Sequence, residues 1–434
     1  MKRVLVITYY WPPTGGSGVQ RWVKFSKFLP EFGWQPVIYT PSNPEMQSVD
    51  ETLLREIPEG VEVVKRKITE PYGLYRNLFG KGSSTDMKTL TSEGKKSLKG
   101  RLSLWLRSNL FIPDPRVWWV RPSVKFLKEY LKEHPVDVIV TTGPPQSLHL
   151  TGLRLSRATG LPWISDFRDP WTKMYWFKKM GLTGCSERKH RRLEKKVLDG
   201  SSAVLTVTPM VRDFYKGLTP TRVEMITNGY DEEDFEGEVE KDGFFNITHT
   251  GLFPGDGNPK VLWEVLEEKA AADPEFAKAL RIRLVGKTDA GVFASLKAHS
   301  LDGSVVDRGY LSHPEAVLEQ RKASLLILPL RNDPDYAMIL PGKLFEYVAS
   351  DRPVLGIGQT DGAMADLLKE TGAGIVCGWD GKTAVREFVS GCWEKFKTGD
   401  LAGTARGYEK YSRRNLTRAL AALLESVSGE KRNQ

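Results

Sequence analysis

Cysteine is scarce in the 434-residue sequence: Cys185, Cys377 and Cys392 are an odd number, widely separated, and fall in no metal-ligand spacing. That pattern excludes a disulfide framework and reads as reduced thiols of a cytoplasmic protein. The six histidines do not cluster, so no metal and no metal cofactor is expected. Long apolar runs are missing too, none approaching the roughly 20 residues that cross a bilayer. The opening Met1–Ile7 run is too short for a secretory signal and ends in Tyr9-Tyr10-Trp11-Pro12-Pro13, so it reads as a first buried strand.

At 40% hydrophobic and 27% charged residues, the chain is large enough for two cores, because single cores seldom grow past about 250–300 residues. The first 230 residues alternate strand and helix signals: Val4–Ile7, Pro36–Tyr39, Val136–Val140, Trp163–Ser165, Val204–Val207 and Val223–Ile226 as strands, with helices between several of them. The stretch from Gly229 to Gly243, with eight acids and one lysine, marks a boundary. The alternation then restarts. The expected division is 1–230, 244–400, and a tail 401–434 that holds a long amphipathic helix, Tyr408–Val427.

The polar motifs fall after predicted strands, where ligands bind in open α/β sheets. Pro341-Gly342 opens a helix after the apolar run Leu325–Pro329, and Lys343 and Glu346 sit one turn apart on it. The free N–H groups of a helix start attract phosphate, and Lys343 adds a full charge. A carboxylate one turn deeper accepts two neighbouring hydroxyls, as on a ribose. A nucleotide diphosphate would fit such a cradle, whereas a bare K-x-x-E is commonly a surface ion pair.

In the first half, Gly15 and Gly16 belong to a glycine-rich turn that admits an anion or sugar to the backbone, or packs a strand tightly against a helix. The run Thr141–His149 brings His149, which from its place early in a predicted helix reads as a packing residue. Asp166-Phe167-Arg168-Asp169 is denser. Asp166 or Asp169 would bind acceptor hydroxyls or move a proton, with Arg168 on phosphate. The alternative is an internal salt-bridge network bracing the loop.

The segment PGKLFEYVASDRPVLGIG resembles the donor-binding segment of the retaining glycosyltransferases of family 4, a group of GT-B fold. The D-x-R-D-x-W run is similar to one in bacterial polysaccharide transferases. The resemblance implies an α/β fold of two Rossmann-like domains facing a central cleft, with Glu346 on the nucleotide ribose, His149 as a catalytic candidate near the reacting sugar, and the C-terminal helix packing back on the first domain. The first of the family's two glutamates falls on Met338. In the loop around Gly251, where many members place an arginine and a lysine on the donor diphosphate, the arginine position reads Leu252 and Lys260 is displaced. Lys287 is a further phosphate candidate.

Residues 95–132 are basic and aromatic, and the wider stretch 61–133 holds sixteen lysines and arginines against seven acids. Leu102, Trp105, Leu106, Leu110 and Phe111, with Arg101 and Arg107 between them, suit an amphipathic helix on an anionic membrane surface, or a core-facing helix with a solvated basic side. No nucleic-acid recognition fold accompanies them. The combined expectation is a retaining glycosyltransferase moving a sugar from a nucleotide-diphosphate donor to a glycan or lipid-linked acceptor in cell-surface polysaccharide synthesis, cytoplasmic or peripheral on the inner membrane face. A nucleotide-sugar epimerase of GT-B fold and a non-catalytic sugar-nucleotide-binding protein are the alternatives.

Overall fold

Runs such as Val4-Leu5-Val6-Ile7 and Leu325-Leu326-Ile327 are without exposed surface, as parallel strands covered on both faces require. The computed structural model describes residues 1–46, 49–69, 98–174, 176–240, 242–401 and 403–429. The chain forms two units, one of Met1–Thr227 joined by the chain from Thr417 on, the other of Asn228–Leu416.

The first unit contains β1 (Lys2–Ile7), α1 (Ser17–Phe28), β2 (Trp34–Pro41), β3 (Glu62–Arg66), α2 (Leu98–Leu110), α3 (Val117–Glu133), β4 (Val138–Gly143), α4 (Ser147–Thr159), β5 (Trp163–Phe167), α5 (Gly184–Gly200), β6 (Ala203–Thr206), α6 (Pro209–Lys216) and β7 (Val223–Met225). Its seven strands are parallel in the order β3-β2-β1-β4-β5-β6-β7. The order reverses between β1 and β4, where Ile7 pairs with Thr141. At that switch point the loops leaving the two strands diverge and open a crevice.

The second unit repeats the plan with β8 (Phe245–Thr250), α7 (Lys260–Ala272), α8 (Pro274–Ala279), β9 (Leu280–Val285), α9 (Ala290–Ala298), β10 (Val305–Gly309), α10 (His313–Lys322), β11 (Leu325–Pro329), α11 (Gly342–Ala349), β12 (Val354–Ile357), α12 (Ala363–Thr371), β13 (Gly374–Cys377) and α13 (Lys382–Lys397). Its sheet runs β10-β9-β8-β11-β12-β13, again parallel, with the switch between β8 and β11. The acidic stretch Gly229–Gly243 lies inside this unit.

The expected helix from Tyr408 starts later, as α14 (Arg413–Ser428). Ser412 is extended and its hydroxyl accepts the Asn415 N–H, so it stops the preceding turn and caps the helix. Leu420, Leu424 and Val427 of α14 are fully buried in the first unit, and Lys2 on β1 is ion-paired with Glu425. Of the basic segment, residues 95–97 and the side chains of residues 98–101 and 103 lie outside the described residues. The remainder is two helices, α2 and α3, split by Ile112-Pro113-Asp114-Pro115.

Candidate functional site

In the first unit, the crevice beyond β1, β4 and β5 is a cavity of about 290 Å³. Gly15, Gly16, Gly18, Gln146, Arg168 and Asp169 all contribute to its wall. Helix α1 begins here behind Gly16, whose φ of 106° suits glycine, and no side chain caps it. The Arg168 guanidinium donates from Nε to the Gly143 carbonyl at 3.2 Å and from Nη2 to that of Pro144 at 2.7 Å. Among the described residues no carboxylate is ion-paired with it, so its charge is left to the cavity. Its Nη1 reaches Gly18 so closely that a Cβ there would lie 2.2 Å away.

Asp166 is not on this wall. It is fully buried, with Oδ1 accepting Arg21 Nη2 at 3.1 Å and Oδ2 accepting Arg21 Nε at 3.2 Å and the Trp22 indole N–H at 2.8 Å. Those bonds occupy both oxygens. Asp166 therefore braces the loop that carries Arg168 and Asp169, which is the bracing network foreseen as the alternative.

His149 also lies beneath the cavity, without exposed surface. The Trp163 indole donates to Thr141 Oγ1 at 2.9 Å, and that hydroxyl shares a hydrogen bond of 2.9 Å with His149 Nδ1. The ring packs on Phe167 with centroids 4.2 Å apart, and burial pushes its pKa down to about 3. It is a neutral packing residue, and it does not line the cavity.

Two polar groups that the sequence did not single out do line it. Gln146 is buried, and neither its amide nitrogen nor its amide oxygen has a partner. His190 accepts the Trp171 indole N–H on Nδ1 at 3.0 Å, which leaves the proton on Nε2, buried and unpartnered. Burial and Lys189 lower its pKa to about 4. Asp114 is occupied, accepting the Ser147 N–H and hydroxyl at 2.8 Å each, and so caps α4. The apolar share of the wall comes from Phe111, Trp171, Trp176, Phe177 and Met180. Unpaired amide and imidazole donors against aromatic faces suit a sugar ring, whose hydroxyls hydrogen-bond while its C–H faces stack.

In the second unit, Gly342 is the first residue of α11, and Lys343 bends back to the end of β8. Its ammonium donates to the Thr250 carbonyl and lies 3.3 Å from His249 Nε2. A Cβ at Gly251, where φ is 86°, would sit 3.0 Å from Lys343 Nζ. Burial lowers the Lys343 pKa to about 8, with Glu346 opposing. Burial likewise holds His249 well below its usual value, reinforced by Lys343, so His249 is neutral and accepts.

Glu346 follows one turn on and is already engaged. Oε1 stands 3.0 Å from His313 Nε2, and Oε2 accepts the Gln320 amide at 3.0 Å. Burial favours its neutral form, but His313, Gln320 and Arg413 outweigh that and bring the pKa to about 2. Lys287 is exposed, in the loop after β9 whose Gly286 abuts Gly251. Met338 is buried at the end of a short turn, and Leu252 is exposed. Asp333 and Asp335, two residues apart as in some metal-binding runs, form a turn in which the Asp333 carboxylate accepts the Asp335 N–H at 3.0 Å. Among the described residues no group of three or more histidine, cysteine or acidic side chains is placed to hold a metal ion.

The structure thus gathers Gly15, Gly16, Arg168 and Asp169 in one place and Gly251, Gly342, Lys343 and Glu346 in another. Arg21, Gln146, His190, His249 and His313 were missed. A cation on the apolar face of α1, between Val19 and Val23, was the signal for Arg21.

Residues 20–229 match the model of the Glycosyl transferase 4-like domain. No curated protein is matched by the sequence. Among solved structures, a glycosyltransferase from Rickettsia africae is similar over 99% of both chains, with a TM-score of 0.63 and 12% identity. A trehalose-6-phosphate protein from E. coli, bound with UDP-2-fluoro glucose, aligns over 98% of this chain and 99% of its own, at a TM-score of 0.62 and 12% identity. WaaG, a glycosyltransferase involved in lipopolysaccharide biosynthesis, aligns over 99% and 100%, at a TM-score of 0.56 and 13% identity. Likeness at these identities is likeness of fold, and the fold is GT-B.

Proposed function

We propose, for a chain that is glycosyltransferase 4-like over residues 20–229 and GT-B in fold, that it is a retaining glycosyltransferase which moves a sugar from a nucleotide-diphosphate donor to a glycan acceptor in cell-surface polysaccharide synthesis. The observation that carries the reading is the arrangement at α11. A largely buried lysine stands at an uncapped helix start beside the Gly251 backbone, and an ionised glutamate lies one turn behind it.

When the sugar leaves, negative charge builds on the departing diphosphate. The Lys343 ammonium and the free N–H groups at Gly342 and Lys343 are placed to stabilise it, and groups fixed in advance lower the barrier because they need no reorganisation. Glu346 accepts the ribose hydroxyls, exchanging them for His313 and Gln320. In the first unit Asp169, Gln146 and His190 bind acceptor hydroxyls and Arg168 holds an anionic group. Holding the acceptor oxygen close to the anomeric carbon supplies much of the rest.

A thermal-shift screen of nucleoside diphosphates tests the donor half, and one of them should raise Tm while free nucleosides do not. Release of nucleoside diphosphate from the matching nucleotide sugar should then depend on added acceptor. Release without acceptor dependence, or interconversion of the sugar with no release, would replace transfer by non-catalytic binding with slow hydrolysis or by epimerisation.

A further inference from the structure

Helix α2 is built inside out. Its buried side carries Leu104 together with Arg107 and Ser108, and the latter two line the first unit's cavity. Its outer side presents Leu102 at 54% exposure, Trp105 at 42% and Leu110 at 64%. At 100° per residue these fall within one arc, which Leu106 completes. The apolar surface continues through Phe111, whose ring meets Trp118 edge-on at 5.4 Å, to Trp118 itself at 51% exposure. Exposed aromatic and leucine side chains grouped in this way are uncommon on a protein that meets only water.

The surroundings are cationic. Helix α2 contains no acid. Its Asn109 accepts the Thr183 N–H at 2.8 Å and donates to the Gly181 carbonyl at 3.2 Å, which fastens it to the segment leading into α5. Lys178, Lys179, Arg188 and Lys189, all exposed, flank that segment. A second copy of the chain seated on this face would set those cations against their own kind. An anionic bilayer complements both features, taking tryptophan and leucine to the depth of the headgroups and cations to the lipid charge.

We infer that the outer face of α2, with Trp118, docks on an anionic membrane, and that the acceptor entering the adjoining cavity is a glycan carried on a lipid of that membrane. The inference rests on the acceptor reading of the cavity and narrows it. The cavity beside α2 fits such a molecule, since Phe111, Phe177 and Met180 line it together with the Arg107 cation. Among the described residues no helix is long and apolar enough to cross a membrane.

The test uses the full chain and vesicles of phosphatidylcholine with or without phosphatidylglycerol. The protein should float with the anionic vesicles and stay behind with the neutral ones. The double variant Leu102→Glu/Trp105→Glu, altered only at exposed positions, should float roughly tenfold less, with unchanged Tm and unchanged nucleoside-diphosphate binding. With a lipid-linked acceptor in vesicles, the parent protein should show a lower KM than with the free headgroup glycan, and the variant should lose that difference. Failure of the parent to float, equal flotation of the variant, or conversion of a dimer to a monomer by the substitutions would overturn the inference. Loss of nucleoside-diphosphate binding by the parent would instead overturn the transferase reading and leave flotation standing.

Discussion

Arg21 and Asp166, 145 residues apart in sequence and both without exposed surface, meet through two parallel hydrogen bonds of 3.2 and 3.1 Å. The same guanidinium donates to the Ile226 and Thr227 carbonyls at 2.9 and 2.8 Å. One side chain thereby ties α1, the end of β5 and the last residues before the second unit. Removing one partner leaves a buried charge alone, which costs about 3–5 kcal/mol. Arg21→Met should lower stability by that order in urea unfolding. Arg21→Met/Asp166→Leu should recover part of it. Additive losses would mean that the two side chains act independently.

Glu346→Ala should weaken binding of the nucleoside diphosphate found in the screen about tenfold by calorimetry. It should also cost about 1–3 kcal/mol of stability, because Gln320 and His313 lose their acceptor. Glu346→Gln keeps an acceptor for the Gln320 amide and should separate the two effects, losing affinity with a smaller loss of stability. Unchanged affinity in both variants would remove Glu346 from the site.

With its pKa lowered to about 8, Lys343 gives donor binding a pH dependence. Below that value the free protein already carries the cation that a diphosphate needs. Above it, binding must take up a proton, so affinity should fall by up to about tenfold per pH unit between roughly 8 and 9.5. Lys343→Arg should flatten this limb. A flat profile in the parent protein would mean that the ammonium is not on the phosphate.

Three buried histidines predict sensitivity to acid. His149, His190 and His249 all have folded-state pKa values below the ordinary 6.5. The unfolded chain therefore binds protons first, and stability present above 6.5 is lost as pH falls toward the folded values. At pH 5 the loss is about 2 kcal/mol each for His149 and His190, and His249 acts in the same direction. Tm should drop steadily from pH 7 to pH 5, and His149→Gln should shallow the slope. A Tm independent of pH over that range would contradict the burial of these rings.

Gly18→Ala tests the cavity wall without substituting a charged group. The new methyl would meet Arg168 Nη1 at 2.2 Å and must displace it. Acceptor KM should rise about tenfold, with nucleoside-diphosphate affinity unchanged, since misplacing a positioning group weakens what it holds. An unaltered acceptor KM would show that Arg168 does not hold the acceptor.

The strands were legible because parallel strands covered on both faces are written as continuous apolar runs, Val4–Ile7 and Leu325–Leu328 being the plainest. β3 was not, since Glu62-Val-Val-Lys-Arg lies half-exposed at a sheet edge. α11 could be read from Pro341-Gly342 and its spacing. What its glutamate touches could not, because His313 and Gln320 approach from another helix 33 and 26 residues away. Asp166 and Asp169 look alike in sequence. Their separation into buried brace and cavity wall depends on Arg21, which only the folded chain brings near. The amphipathicity of α2 was visible, but its direction was not, since a helical period does not say which side faces in.

The first unit's sheet is complete by residue 225, yet Leu420, Leu424 and Val427 pack against that unit from the far end of the chain. During synthesis that apolar ground stays bare while some 190 further residues are made, at roughly 5–20 residues per second. The first unit, although made before the second, is therefore the later of the two to be sealed. Until then the exposed apolar surface leaves the nascent chain open to aggregation.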